Sequence, residues 1–255
     1  MDINSANMIE LFKNFNLIFQ KGLEAAPTDY LKFSTEVNSS TAIEVYPFLE
    51  QFAGMREWIG DRHIKNLSSA KYEVANRDFE DSVEVERNAI EDDRYGLYSP
   101  AFQDLGQASN EIWGELATEA LQSGEDNLWQ DELTFFSDAR KYSEDSIVDN
   151  ISTLALTMDN YATIRNRMLK YRGHNNKTLK VRPGLLICGP NNEGAAFDIL
   201  KNSRKLTATI TGSAEDPQVV TGSVDNGYAG TADVLVLHDL EDEWFLCDTS
   251  RALKP

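Results

Sequence analysis

The stretch from Ser99 to Gly124 restricts the possible folds more than any other part of the sequence. Ser99 can cap a helix, and Pro100 suits its first turn, where a missing N–H leaves nothing unpaired. Phe102, Leu105, Ser109, Ile112, Trp113, Leu116, Ala120 and Leu121 then line one stripe until Gly124 stops the pattern. A helix of roughly 24 residues spans on the order of 36 Å, well beyond the usual three turns. Such an element can serve as the backbone of a flat, extended subunit.

The N-terminus predicts a second amphipathic helix. Ser5 can cap it, Met8, Leu11, Phe12, Phe15, Ile18, Phe19 and Leu23 recur at three and four residues, and Gly22 and Pro27 stand near its end. A terminal segment this apolar has to dock, either on its own core or on a neighbouring subunit. Residues 28–69 show no sustained period and read as a partly extended excursion. Between Lys71 and Ile90 the period changes to two: Tyr72 and Val74 precede a polar turn near Asn76, and Val83 and Val85 alternate with Glu84 and Glu86. This predicts a long hairpin or paired extended segment. Glu91, Asp92 and Asp93 then read as solvated loop charge.

After an acidic linker over 125–148, the remainder reads as an α/β unit. A helix near 158–171 leads to the apolar strand Leu185-Leu186-Ile187-Cys188. A short helix near 193–201 follows, with Asn at its cap, and then strands near 206–211, 219–224, 232–238 and 243–248. The turn Gly189-Pro190-Asn191-Asn192 matches neither phosphate-binding glycine pattern.

Charge distribution separates the two parts. Residues 1–148 carry 29 acidic and 12 basic side chains, against 13 and 12 over 149–255, within a net charge of -18. That total argues against a general nucleic-acid binder, whose affinity comes from clustered Lys and Arg. Yet 165–205 holds ten basic residues against Glu193 and Asp198, while 73–93 holds nine acidic residues against Arg77 and Arg87. The two stretches are either separate solvated faces or complementary surfaces that meet between copies.

Catalytic signatures are missing from the sequence. His63, His174 and His238 have no ligand spacing, there is no GxSxG, and the SxxK at Ser68–Lys71 lacks its partner motifs. Cys188 and Cys247 lie in apolar runs and read as buried free thiols. The chain therefore reads as a non-enzyme, with no cofactor and no metal. With no membrane-length apolar run and no signal-like N-terminus, it reads as soluble and cytosolic. One segment, Gln51 to Arg62, packs Gly54, Trp58, Gly60 and alternating charges into a dozen positions. It is either a glycine-hinged loop anchored by Trp58 or an intersubunit contact, since Trp and Arg dominate buried interface patches.

Three motifs carry a resemblance: Lys21-Gly22-Leu23-Glu24-Ala25-Ala26-Pro27; Gly54-Met55-Arg56-Glu57-Trp58-Ile59-Gly60-Asp61-Arg62; and Glu86-Arg87 through Ile90-Glu91-Asp92-Asp93. Together they resemble the Mu-like phage and prophage major head subunit, with similarity running on to Trp244–Ser250. The resemblance implies an α+β tailed-phage major capsid fold of the Hong Kong 97 type. In its plan residues 1–30 form the N-terminal arm, 31–98 the extended β-hairpin loop and peripheral strands, and 99–148 the spine helix and peripheral domain. Residues 149–235 form the α/β axial domain, and 236–255 return toward the peripheral domain. Family members continue past the equivalent of Pro255. The implied function is assembly into hexamers and pentamers of an icosahedral shell around phage double-stranded DNA, with scaffold and portal proteins as further partners, in a virion put together in the host cytoplasm. The alternative is an encapsulin-like shell around cargo. Candidate subunit-interface residues are Phe12, Phe15, Phe19, Met55, Arg56, Glu57, Trp58, Asp61 and Arg62. No residue matches the Lys and Asn that crosslink some related capsids.

Overall fold

The structure, a computed structural model, describes residues 5–39, 43–49, 69–86, 88, 90, 95–129, 132–143, 146–172, 178–213 and 216–250. The chain divides into two compact units, one of residues 1–44 and 74–121 and the other of 45–73 and 122–255.

Two helices organise the first unit, α1 (Ser5–Ala25) and α2 (Ser99–Gln122), both where the apolar spacing predicts them. They meet backbone to backbone. A Cβ on Gly22 would stand 2.0 Å from the Gln103 carbonyl oxygen, and one on Gly106 would stand 2.1 Å from that of Phe19, so only hydrogen fits at either position. Asn110 Nδ2 donates to the Leu23 carbonyl at 3.2 Å and fastens the end of α1 to α2. Beside the crossing the Phe15 ring stacks on Phe102 at 4.1 Å, and Leu11, Phe15 and Ile90 form a small core with Val85 against it. A short 3-10 turn at Asp29–Lys32 then buries Tyr30, whose hydroxyl donates to Glu36 at 2.7 Å.

Strand β1 (Ile43–Leu49) pairs with β2 (Ser69–Ala75) in a two-stranded sheet. Here the predicted hairpin over 71–90 is corrected. The partner of β2 is β1, and residues 76–86 run extended outside any strand. Their alternation reflects packing, since Val83 and Val85 are half-buried while Glu84 and Glu86 are exposed.

Residues 125–148 are also not a linker. Arg140, only 7% exposed, donates through Nη1 to the Phe135 carbonyl at 3.0 Å and through Nη2 to that of Thr134 at 2.9 Å. Asn150 accepts from Ser137 N at 2.7 Å and donates to the Phe135 carbonyl at 2.9 Å. These bonds hold a turn whose rings follow one another in contact, Trp129 edge to face with Phe135, Phe135 edge to face with Phe136, and Phe136 tilted against Phe245. A short antiparallel pair, β3 (Arg140–Ser143) and β4 (Ser146–Val148), closes it. The polar composition conceals an element built around one buried guanidinium.

The main core of the second unit lies between helix α3 (Met158–Leu169), helix α4 (Glu193–Leu200) and a three-stranded sheet. Thr157 caps α3 by accepting from Asn160 N at 3.2 Å. In the sheet β5 (Leu185–Cys188) is central, parallel to β8 (Asp233–Val236) and antiparallel to β9 (Trp244–Cys247). Its four residues are all buried, as the unbroken apolar run requires of a strand covered on both faces. Tyr161, fully buried, shares a 3.0 Å hydrogen bond with Thr231. Strands β6 (Arg204–Ser213) and β7 (Asp216–Asp225) form a separate antiparallel ribbon.

One further expectation changes. Asn192 makes no side-chain cap on α4; its Nδ2 donates instead to the Asp242 carbonyl at 2.6 Å, and a 3-10 turn at Pro190–Asn192 leads into the helix.

Candidate assembly surfaces

Helix α1 offers two faces, and the three phenylalanines read as one stripe divide between them. Phe15 is 5% exposed and occupied by its stacking on Phe102, while Phe19 is half-buried with its carbonyl under Gly106. Phe12 is 62% exposed and lies on the outward side with Ile9 and Leu17. Together these three leave an open apolar face on that side of the helix. Ile9 and Leu17 were missed because a stripe drawn through the strongest three-and-four spacing selects the packed side. Met55, Arg56, Glu57, Trp58, Asp61 and Arg62 lie outside the described residues.

Residues 76–86 form an acidic strap on the first unit. Asp78, Glu80, Asp81, Glu84 and Glu86 are all exposed, and Val85 holds the strap to the Leu11–Phe15–Ile90 core. At its start Arg77 reaches Glu119 on α2 at 3.5 Å and lies over the Phe79 ring at 5.3 Å.

On the second unit, the C-terminal end of α3 and the segment returning to β5 bring cations together. Arg165 Nη1 donates to the Pro183 carbonyl at 2.8 Å. Arg172 and Thr178 form an antiparallel bridge, and Leu179 N donates to the Tyr171 carbonyl at 2.8 Å. These ties place Lys170, Arg172, Lys180 and Arg182, all exposed, around one junction with the half-buried Arg165. Arg167 is matched there by Asp149 and also donates to the Ile151 carbonyl at 2.9 Å. Tyr171 donates to the Asp149 carbonyl, and burial is the main cause that raises its phenol pKa.

None of this resembles an acid–base or nucleophilic constellation. Burial pushes the Cys188 thiol up to about 11, with a further push from the Glu193 charge, and burial pushes Cys247 up to about 12. Both are free thiols, and such values make them poor nucleophiles near neutral pH. Among the described residues no three His, Cys, Asp or Glu side chains are grouped to hold a metal ion, and no helix is long and apolar enough to cross a membrane.

Residues 8–153 and 147–224 match the family described as Mu-like prophage major head subunit gpT, a span that takes in most of both units. The chain belongs to this family. Among relatives of the head subunit family, the Mu-like prophage FluMu major head subunit of Haemophilus influenzae is 40% identical over 126 residues, or 49% of this chain and 41% of that protein. The major capsid protein of Escherichia phage Mu is 35% identical over 136 residues, 53% of this chain and 45% of that protein. The chain thus spans less than half the length of the curated relatives it matches. The procapsid chain of bacteriophage JBD30 superposes with a TM-score of 0.67 at 24% identity, covering 79% of this chain and 93% of that one. The JBD30 capsid decorated with minor capsid protein trimers gives 0.67 at 22% identity, covering 88% and 94%. These likenesses bear out the α+β Hong Kong 97-type capsid fold that the sequence motifs imply.

Proposed function

We propose that this chain is a major capsid protein whose copies assemble into hexamers and pentamers of an icosahedral phage head enclosing double-stranded DNA. The observation that carries this reading is the head-subunit family match over residues 8–224, on a fold that covers 93% of a solved procapsid chain. The related proteins are phage head proteins, which favours a DNA-filled head over a cargo compartment. In this plan α1 belongs to the N-terminal arm, the β1–β2 sheet to the extended loop, α2 is the spine helix, and the β8–β5–β9 layer with α3 and α4 is the core of the axial domain. Scaffold and portal proteins are the expected further partners, and the role is structural rather than enzymatic.

Phe12, with Ile9 and Leu17 beside it, gives the arm an apolar outer face for a neighbouring copy, and the segment Met55–Arg62 supplies a second contact. Electron microscopy of the purified protein, paired with its light-scattering mass, tests the reading. Closed shells or rings of five or six are expected; a monomer of 28.7 kDa under all assembly conditions overturns it. Replacing Arg56 and Arg62 with Glu is expected to weaken assembly more than it lowers the melting temperature. Equal effects on both would assign the motif to the fold of the single chain.

A further inference from the structure

We propose that the basic junction around the end of α3 is a docking surface for the acidic strap, residues 78–86, of a second copy of this chain; this rests on the assembly reading above. The junction is built rather than incidental. Two separate ties, Arg165 to Pro183 and the Arg172–Thr178 bridge with its Leu179 to Tyr171 bond, hold the returning segment against the helix end and bring its cations alongside those of α3.

Cations on the last turn of a helix answer its dipole, and that accounts for Arg167 and Lys170. It does not account for Lys180 and Arg182, which lie on the return segment. Lys180 also has a φ of 55°, in the left-handed region where Gly or Asn costs less. A long cation placed where the backbone disfavours any Cβ points to a use for its charge. The acids near the junction are already engaged. Asp149 is taken up by Arg167, and the Asp248 carboxylate accepts from Arg182 N and from Ser250.

The strap matches this surface in charge and form. It presents five exposed carboxylates, Asp78, Glu80, Asp81, Glu84 and Glu86, to the junction's five cations, Arg165, Lys170, Arg172, Lys180 and Arg182. Val83 and Val85 are half-buried, so apart from Phe79, 46% exposed and covered on one face by Arg77, the outer edge is polar and can meet a charged surface. Packaged DNA would be the other polyanion available. A chain of net charge -18 opposes phosphate overall, whereas the strap comes in equal number with the junction in any assembly of identical copies. Contacts of this kind set register and orientation, and salt weakens them over a Debye length of about 8–10 Å at 0.1–0.15 M ionic strength.

The test is a charge swap on the full chain. One variant carries Lys170→Glu and Arg182→Glu, the other Glu80→Lys and Glu84→Lys, and assembly is followed by light scattering and sedimentation at 50 mM and 500 mM salt. Each variant alone is expected to assemble about tenfold less at the lower salt, and an equimolar mixture to recover to within about twofold of the unsubstituted chain. Melting curves establish that each variant is folded; should one fail, Lys170→Gln with Arg182→Gln replaces the basic reversal, and reduced assembly is again expected. A mixture no better than its components overturns the proposal, as does recovery only when all four substitutions share one chain, which would place the pair within a single copy. Assembly of both variants like the unsubstituted chain overturns it while leaving the capsid reading intact. Binding of short duplex DNA that is lost with the basic reversal, while assembly is unchanged, assigns the junction to DNA instead. Failure of the unsubstituted chain to self-associate removes both readings.

Discussion

The α1–α2 crossing and the β8–β5–β9 layer bury their residues in opposite ways. At the crossing two helix backbones touch through Gly22 and Gly106, the buried cluster alongside is three residues, Leu11, Phe15 and Ile90, and Ile9, Phe12, Leu17 and Trp113 remain open. In the layer an all-buried strand sits between two others, and Leu156, Tyr161, Leu186, Cys188, Ala196, Ile199, Leu200 and Ala232 close around it. The layer secures its geometry by filling volume. The crossing secures its geometry by excluding it, and leaves apolar surface exposed. Under the proposed assembly a subunit needs both, a core stable alone and a face that is incomplete alone.

Substitutions can break this comparison, beginning with the largest effect. Leu186→Ala removes a fully buried side chain from the centre of the layer and is expected to cost about 2–5 kcal/mol, read as a lowered urea midpoint. Hydrogen exchange at the amides of β5 and α3 should accelerate more than at those of α1 and α2. Gly106→Ala forces the helices apart and is expected to cost about 1–3 kcal/mol. It should accelerate exchange in α1 while leaving β5 protected; equal loss in both places would mean that the two regions do not differ as described. Arg140→Leu takes its donor from the Thr134 carbonyl and leaves the Phe135 carbonyl to Asn150 alone, for about 1–3 kcal/mol. Near-UV circular dichroism should report it through the rings of Trp129, Phe135 and Phe136.

The smallest expected effect is a pH slope. Burial raises the Cys188 and Cys247 thiols from 9.0 to about 11 and about 12, so their contribution is whole below pH 9 and is lost as pH climbs toward those values. Unfolding midpoints measured from pH 8 to 11 should fall less steeply with Cys188→Ala and Cys247→Ala combined than in the unsubstituted chain.

Periodicity made α1, α2, α3 and β5 legible because each buries one stripe, or in β5 the whole strand, and burial is what periodicity records. It failed where a pattern and its cause come apart. Alternation at Val83 and Val85 signals which residues turn inward but is silent about hydrogen-bond partners, so packing on α1 could pass for a hairpin. Acidic composition over 125–148 hid the turn around Arg140, because its bonds run to carbonyls and carbonyls have no residue type. Of the candidate interface, Phe12 stands outward and Phe15 inward. Three-and-four spacing cannot tell which side of a broad apolar stripe a partner helix will take. The glycines offered a signal, since Gly22 and Gly106 both sit inside strong helical patterns where an alanine would favour the helix more.

The Gly22–Gly106 contact also sets how this subunit would respond to load. Side chains between packed helices can change rotamer and let one helix creep past the other, but carbonyl oxygens on a helix backbone cannot step aside. Sliding of α1 along α2 therefore meets backbone rather than side chain at Gln103 and Phe19, and the crossing keeps one setting until the two helices separate.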